Sequence, residues 1–121
     1  LENINHMEVI MFSHQRLKCY TVALSVAKQM PEIIRRWPTG TAYLVDQLKR
    51  ALSSVILNIS EGNGRRSIKE RRRFFDFSIG SAQEVAAIFD VAVALGYMPA
   101  EKNHYLQDQL LQVVKMLYKL K

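Results

Sequence analysis

The sequence predicts an all-α protein, an up-down-up-down antiparallel four-helix bundle with left-handed packing. Apolar residues recur at steps of three and four along most of the 121 residues, and no segment shows the alternation of a β-strand. Three prolines and five glycines leave long uninterrupted stretches. The connections between these stretches are short, which favours antiparallel neighbours. We therefore expect residues 14–121 to form a single domain.

The first two predicted helices cover residues 14–37 and 41–60. The apolar stripe of the first continues in register across Pro31, which predicts one kinked helix; the alternative is a break at Met30. In the second helix, Gly62 stands where a left-handed residue is expected to end it. The stripes are Leu17, Tyr20, Leu24, Ala27, Pro31 and Ile34, then Leu44, Leu48, Ala51, Val55 and Ile59, widened by Leu52 and Ile56.

The third predicted helix begins with a capping box formed by Ser67 and Glu70, and it ends at Leu95-Gly96. Its small residues at 80–82 are expected to let a neighbouring helix approach closely. The fourth helix starts near Pro99, a favoured first residue, and carries a heptad seam that predicts left-handed packing. The stripes are Phe74, Ser78, Ser81, Val85, Ile88, Ala92 and Leu95, then Leu106, Leu110, Val113, Leu117 and Leu120.

The composition favours a cytoplasmic protein without a membrane segment. Cys19 is the single cysteine and has no partner for an internal disulfide. No apolar run approaches the length of about 20 residues that crosses a bilayer. Residues 1–13 are interpreted as an N-terminal extension that is not a secretory signal. Within it, we interpret Leu1–His6 as derived from cloning and Met7 as the native start.

Apolar residues outside the main stripes indicate self-association. A lone bundle of this size is expected to leave part of them uncovered, which favours a homo-oligomer. The alternative is a wide face buried within one chain. These residues are Leu52, Ile56, Phe75, Phe77 and Phe89.

The excess positive charge is confined to one part of the chain. The net charge is +6, and the segment from Lys49 to Arg73 holds eight basic and two acidic residues, so it accounts for all of it. Cations at the start of a helix oppose its dipole, by about 0.3–1 kcal/mol each. Arginine suits phosphate because its fork donates two parallel hydrogen bonds. The predicted nucleic-acid-binding residues are Lys49, Arg50, Arg65, Arg66, Lys69, Arg71, Arg72 and Arg73.

Two other interpretations of this basic segment stay open, namely structural ion pairing and a solvated charged face. We expect Lys69, Arg72 and Arg73 to share a helix face with Asp76 beside them, and Arg71 to lie at the mouth of the bundle. The glycine loop at residues 62–67 lacks the pattern of a nucleotide-binding loop and is interpreted as a helix–helix turn.

The remaining polar residues indicate no catalytic, cofactor or metal site. Asn58 is expected to make a satisfied buried hydrogen bond, and Glu61 to pair with one of the arginines. His6, His14 and His104 are scattered along the sequence, which does not favour a metal site. Cys19 is interpreted as a small packed residue. The aromatic residues at 74, 75 and 77 are interpreted as core, with base stacking as the less favoured alternative.

Five short motifs lie at residues 47–51, 58–62, 64–67, 80–84 and 95–97. In the same order and spacing they resemble the patterns Q-L-R-R-A, N-I-A-E-G, G-R-x-S, G-S-x-x-E and L-G-Y. These patterns are roughly those of a bacterial four-helix-bundle family named for open reading frames in intervening sequences of 23S ribosomal RNA genes. This chain departs from the pattern at Lys49 and Ser60 and carries additional arginines at 66 and 71–73. The motif residues Asn58, Glu61, Gly62, Gly80 and Ser81 fit a structural role as well.

A related branch of that family is the accessory variability protein of diversity-generating retroelements, a basic homopentamer that associates with a reverse transcriptase and nucleic acid. The resemblance therefore implies a homo-oligomer, a pentamer by analogy, with RNA rather than DNA as ligand and a reverse-transcriptase-like or ribosomal partner. The resulting hypothesis is a non-enzymatic, cytoplasmic bundle that binds RNA through phosphate contacts. The alternatives are an adaptor for an acidic protein surface and an enzyme that uses Glu61.

Overall fold

The computed structural model describes residues 12–121, which form four long α-helices preceded by one 3-10 turn at Ser13–Arg16. Each helix packs against its neighbours in the chain, and the last one closes the ring on the first. The predicted all-α bundle is confirmed for this part of the chain, whereas the up-down alternation and the left-handed packing stay predictions. The interpretations of Leu1–His6, Met7 and His6 lie outside the described residues. The helices are α1 (Lys18–Arg35), α2 (Ala42–Asn63), α3 (Ile68–Ala94) and α4 (Ala100–Leu120).

Helix α1 runs through Pro31 without a break, as predicted, although it begins at Lys18 rather than near His14. The residues of the predicted stripe are only partly buried or are exposed. The stripe that faces the core is the adjacent one. Two apolar stripes lie side by side on this helix, and the spacing does not say which one faces the core. The buried residues are Cys19, Ala23, Val26, Met30 and Ile33.

The predicted stripe of α2 is buried in full, together with Leu52. On α3 the prediction is partly wrong, because Leu95 is 53% exposed while Phe75 and Phe89 are completely buried. Ile56 is partly buried against the core. Of the five apolar residues outside the predicted stripes, only Phe77 lies largely on the surface, at 48% exposure. The wide intramolecular face thus explains most of the apolar residues that favoured an oligomer.

Helix α3 also has the length and apolar composition of a membrane span. The core helix of a bundle shares both properties, so the observation does not identify a compartment.

On α4, the predicted seam is buried from Leu106 to Leu117, while Leu120 at the helix end is exposed. The end of α3 is as predicted: Gly96 has a φ of 80°, and Tyr97 N–H donates to the Ala92 carbonyl at 2.7 Å.

The left-handed role predicted for Gly62 is wrong. Gly62 is a buried helical residue of α2, which continues to Asn63 and ends at Gly64 with a φ of −83°. A β-carbon at Gly62 would lie 2.7 Å from the ring of Phe75, so glycine is required there by packing and not by backbone conformation. Gly80, in contrast, has open space around it, so the close approach of α2 and α3 does not depend on it.

Candidate nucleic-acid interface

Six of the eight predicted binding residues lie at the junction between α2 and α3. The two helices are joined by the short segment 64–67, so the carboxyl end of α2 lies beside the amino end of α3. We call these six residues the junction cluster: Arg65, Arg66, Lys69, Arg71, Arg72 and Arg73.

The other two, Lys49 and Arg50, are exposed near the middle of α2. At 1.5 Å per residue they lie about 20 Å along the helix axis from Asn63. They border a shallow depression with Ser53, Ser54 and Leu57. The structure therefore places this α2 pair apart from the junction cluster, and the eight cations do not form one compact surface.

Arg65 is held by contacts within the protein. Its Nη2 atom lies 2.6 Å from Oε2 of Glu61, and its guanidinium carbon lies 4.9 Å from the ring centre of Phe74. Both partners of the ion pair are about half exposed. The predicted pairing of Glu61 with a clustered arginine is confirmed, and the pair links the end of α2 to the first turns of α3.

Arg71 is half-buried at the junction, consistent with its predicted place at the mouth of the bundle. Its Nη1 atom donates to the Asn63 carbonyl at 3.3 Å, and its guanidinium carbon lies 5.5 Å from the centre of the Phe75 ring. The carboxyl end of a helix favours cations. Arg71 therefore stabilises the end of α2. This offsets the unfavourable interaction between its charge and the dipole at the start of α3.

Arg73 is engaged as well. Its Nη1 atom lies 3.2 Å from Oε1 of Glu70, and its guanidinium carbon lies 5.0 and 5.2 Å from the ring centres of Phe74 and Phe77. The Ser67 hydroxyl accepts the Glu70 N–H at 3.3 Å, which confirms that half of the predicted capping box. The Glu70 carboxylate binds Arg73, a contact that the capping-box motif did not indicate.

The remaining members of the junction cluster are Arg66, Lys69 and Arg72, and all three are exposed. Within residues 12–121 none of them has an ion pair, a hydrogen bond or an aromatic partner. The same is true of Lys49 and Arg50. Because intramolecular contacts account for Arg65, Arg71 and Arg73, these unpaired cations are the ones that fold stability leaves unexplained.

Lys69 and Arg72 line a shallow, open concave surface on α3, which bounds a volume of about 620 Å³. Asp76 lies on the same surface, as predicted, and forms an ion pair with Lys121 at the end of α4. Its negative charge is therefore balanced locally and does not neutralise the two cations. The lining residues are Ile68, Lys69, Arg72, Arg73, Asp76 and Phe77.

The motif residues of α2 and α3 connect the two helices. Asn58 Nδ2 donates to the carbonyl oxygen of Ser54 at 2.8 Å and to its hydroxyl at 3.0 Å, which confirms the predicted hydrogen bond, although Asn58 is partly and not fully buried. The Ser54 hydroxyl in turn lies 2.7 Å from the Ser81 hydroxyl. Ser78, completely buried, donates to the Val55 carbonyl at 2.8 Å. The bridging role of Ser54 was missed, because its partner is 27 residues away along the chain.

Other candidate residues have structural surroundings. Cys19 is buried, and the loss of solvent raises the pKa of its thiol, which agrees with the packed role that was predicted. His14 packs edge-on against Tyr20 with ring centres 4.8 Å apart. Among residues 12–121 no three His, Cys, Asp or Glu side chains are grouped for metal binding.

The fold and this surface define a small helical bundle with a basic helix–helix junction. The chain belongs to the family of 23S rRNA-intervening sequence proteins, whose family model matches residues 15–119. The resemblance inferred from the motifs is thereby confirmed. No curated protein matches the sequence.

A solved structure from Bacteroides thetaiotaomicron VPI-5482 has a similar fold. It is described as a protein with unknown function from the S23 ribosomal protein family. The two structures align with a TM-score of 0.68 over 86% of this chain and 97% of the other, at 15% sequence identity. At that identity the likeness shows the shared bundle and nothing about activity.

Proposed function

We propose that this protein binds RNA through phosphate contacts made by the unpaired cations of the junction cluster, as a non-enzymatic homo-oligomer in the cytoplasm. The observation that carries the proposal is that Arg66, Lys69 and Arg72 are exposed and have no partner among residues 12–121. RNA rather than DNA is proposed as the ligand because the motif resemblance to the nucleic-acid-associated branch implies it. The α2 pair, Lys49 and Arg50, is a second contact point for a longer RNA.

Binding of this kind follows from counterion release. Each phosphate that a cation neutralises lowers the slope of log affinity against log salt by about 0.7 for a single strand and about 0.9 for a duplex. Phosphate contacts position the ligand without reading its sequence. We therefore expect strong salt dependence and weak sequence preference.

The test compares two variants with the same change in net charge. Arg66→Glu, Lys69→Glu and Arg72→Glu together should abolish RNA binding measured by fluorescence anisotropy across a salt series. The matched control reverses three exposed lysines on other surfaces, Lys28, Lys115 and Lys119. Both variants are checked for folding by circular dichroism. Equal losses in the two variants would show that only net charge matters, and a salt slope near zero in the native protein would contradict the proposal outright.

Self-association is tested by light scattering with and without RNA over the same salt series. We expect a mass larger than the 14.0 kDa of one chain, with a pentamer as the specific expectation by analogy. A mass of one chain at every RNA and salt concentration would exclude the oligomeric part of the proposal while leaving RNA binding intact.

One observation favours the adaptor as a second candidate function. An apolar groove of about 390 Å³ lies between α1 and α2, with the unpaired Lys49 at its edge. A helix with an apolar stripe and acidic flanks would complement this groove. A complex that survives RNase treatment and is lost in Lys49→Glu would support the adaptor over RNA binding. The apolar lining consists of Ala27, Met30, Pro31, Ile34, Leu52 and Ile56.

A further inference from the structure

Phe77 is an aromatic side chain that lies on the surface beside unpaired cations. It is 48% exposed on the concave surface that Lys69 and Arg72 also line. Ile68, at 66% exposure, adds a second apolar group to the same surface. A face that only keeps charges in water does not require either apolar residue, since both leave large apolar groups in contact with solvent beside the cations.

The ring of Phe77 is held in position by its neighbours. Phe74 meets it edge-on, with ring centres 5.9 Å apart and planes at 86°. The guanidinium carbon of Arg73 lies 5.2 Å from the Phe77 ring centre, and Arg73 is itself fixed by Glu70. Phe77 thus presents an aromatic ring that contacts two neighbouring side chains and remains about half open to solvent.

We propose that this surface binds single-stranded RNA, with one unpaired base stacked on Phe77 and adjacent phosphates on Lys69 and Arg72. This inference rests on the proposed RNA binding and specifies the form of the ligand. In a duplex the base faces are stacked on one another, so an exposed ring on a protein finds no partner there. A single strand presents both base faces and phosphates to a surface that combines an aromatic ring with cations.

The spacing along α3 fits a strand of a few nucleotides. Lys69 and Arg72 precede Phe77 by about 12 and 8 Å along the helix axis. Asp76 is the acidic group on this surface, and its ion pair with Lys121 limits its repulsion of phosphate. Ile68 offers a second apolar contact for a base further along the strand. The stacking alternative for the aromatic residues thus applies to Phe77, while Phe75 is completely buried.

The experiment replaces the ring without changing charge. Fluorescence anisotropy is measured with an oligouridine of about 12 nucleotides and with an RNA duplex of the same length. Phe77→Leu should weaken binding of the single strand about tenfold and leave duplex binding and the salt slope unchanged, whereas Phe77→Trp should retain native affinity. The matched control is Tyr105→Leu, which removes an exposed ring that Lys102 approaches to 5.4 Å on α4. It should have no effect.

The outcomes separate this inference from the proposed function. Salt-dependent binding of both RNA forms with equal affinity, or native single-strand affinity in a folded Phe77→Leu variant, would overturn base stacking while leaving phosphate binding in place. Failure to bind either RNA would overturn both. Competition by polyglutamate at the same concentration as oligouridine would identify an acidic polymer as the ligand and would also overturn the inference.

Discussion

Gly62 packs directly against the ring of Phe75. A β-carbon at position 62 would lie 2.7 Å from two carbons of that ring and 3.2 Å from the β-carbon of Phe74. Phe75 is completely buried and also carries the guanidinium of Arg71 near its ring. The absence of a side chain at Gly62 therefore sets how closely α2 and α3 approach beneath the junction cluster.

The first prediction concerns this contact. Gly62→Ala should lower the free energy of unfolding by about 1–3 kcal/mol, because the added methyl group overlaps the ring of a completely buried phenylalanine. Gly80→Ala is the matched control in α3, where nothing lies within 4 Å of the new methyl group. It should raise stability by about 0.5–1 kcal/mol through helix propensity. Urea unfolding measures both, and effects of the same sign would refute the packing account.

The second prediction separates structural from ligand-binding arginines. Arg71→Gln should lower stability by about 1 kcal/mol, because it removes the contacts with the Asn63 carbonyl and the Phe75 ring. Arg72→Gln should leave stability within about 0.5 kcal/mol of the native value and make the salt slope of RNA binding less negative by about 0.7. Thermal unfolding and anisotropy on the same samples test this, and a loss of stability in Arg72→Gln would contradict it.

The third prediction concerns Cys19. Its side chain is 1% exposed, and burial raises the pKa of its thiol, so the reactive thiolate is scarce in the folded protein. Alkylation by iodoacetamide at neutral pH should be at least about a hundredfold slower than that of free cysteine, and urea should restore the rate. Fast labelling of the folded protein, followed by mass spectrometry, would show that α1 opens locally.

The raised pKa of Cys19 also has a consequence for alkaline stability. The folded state favours the neutral thiol, so the stability that this group contributes is complete below the ordinary thiol pKa and is lost as pH rises through the raised value. Cys19→Ala should therefore lose less stability than the native protein between neutral and alkaline pH. Identical pH profiles in urea unfolding would argue against burial as the cause.

The fourth prediction tests the hydroxyl pair between α2 and α3. Ser54 and Ser81 lie 2.7 Å apart, and Asn58 donates to Ser54. A double-mutant cycle of Ser54→Ala and Ser81→Ala should give a coupling energy of about 1 kcal/mol. Strictly additive effects would mean that the two serines do not stabilise each other. Ser25, on α1 and outside this network, is the control partner, and its replacement should be additive with either serine.

Features that depend on residues close together in the chain could be predicted from the sequence. The period of apolar residues predicted four helices and the seam of α4. It also predicted that α1 continues through Pro31. Turn chemistry located the helix end at Gly96 and the cap at Ser67. The location of the excess charge and the family motifs could be predicted for the same reason. The charge lies in one segment, and each motif lies in a short segment.

Which residues of these segments have partners depends on how the helices pack against one another. Six arginines and lysines of one junction look alike in the sequence, yet Arg71 is held by the end of α2 and Arg72 by nothing within the described residues. Gly62 resembled a helix terminator until its contact with Phe75 was visible. Phe75 and Phe77 lie two positions apart, and only the first is buried. These differences depend on the distance and angle between two helices, and the spacing of residues within one helix does not contain either quantity.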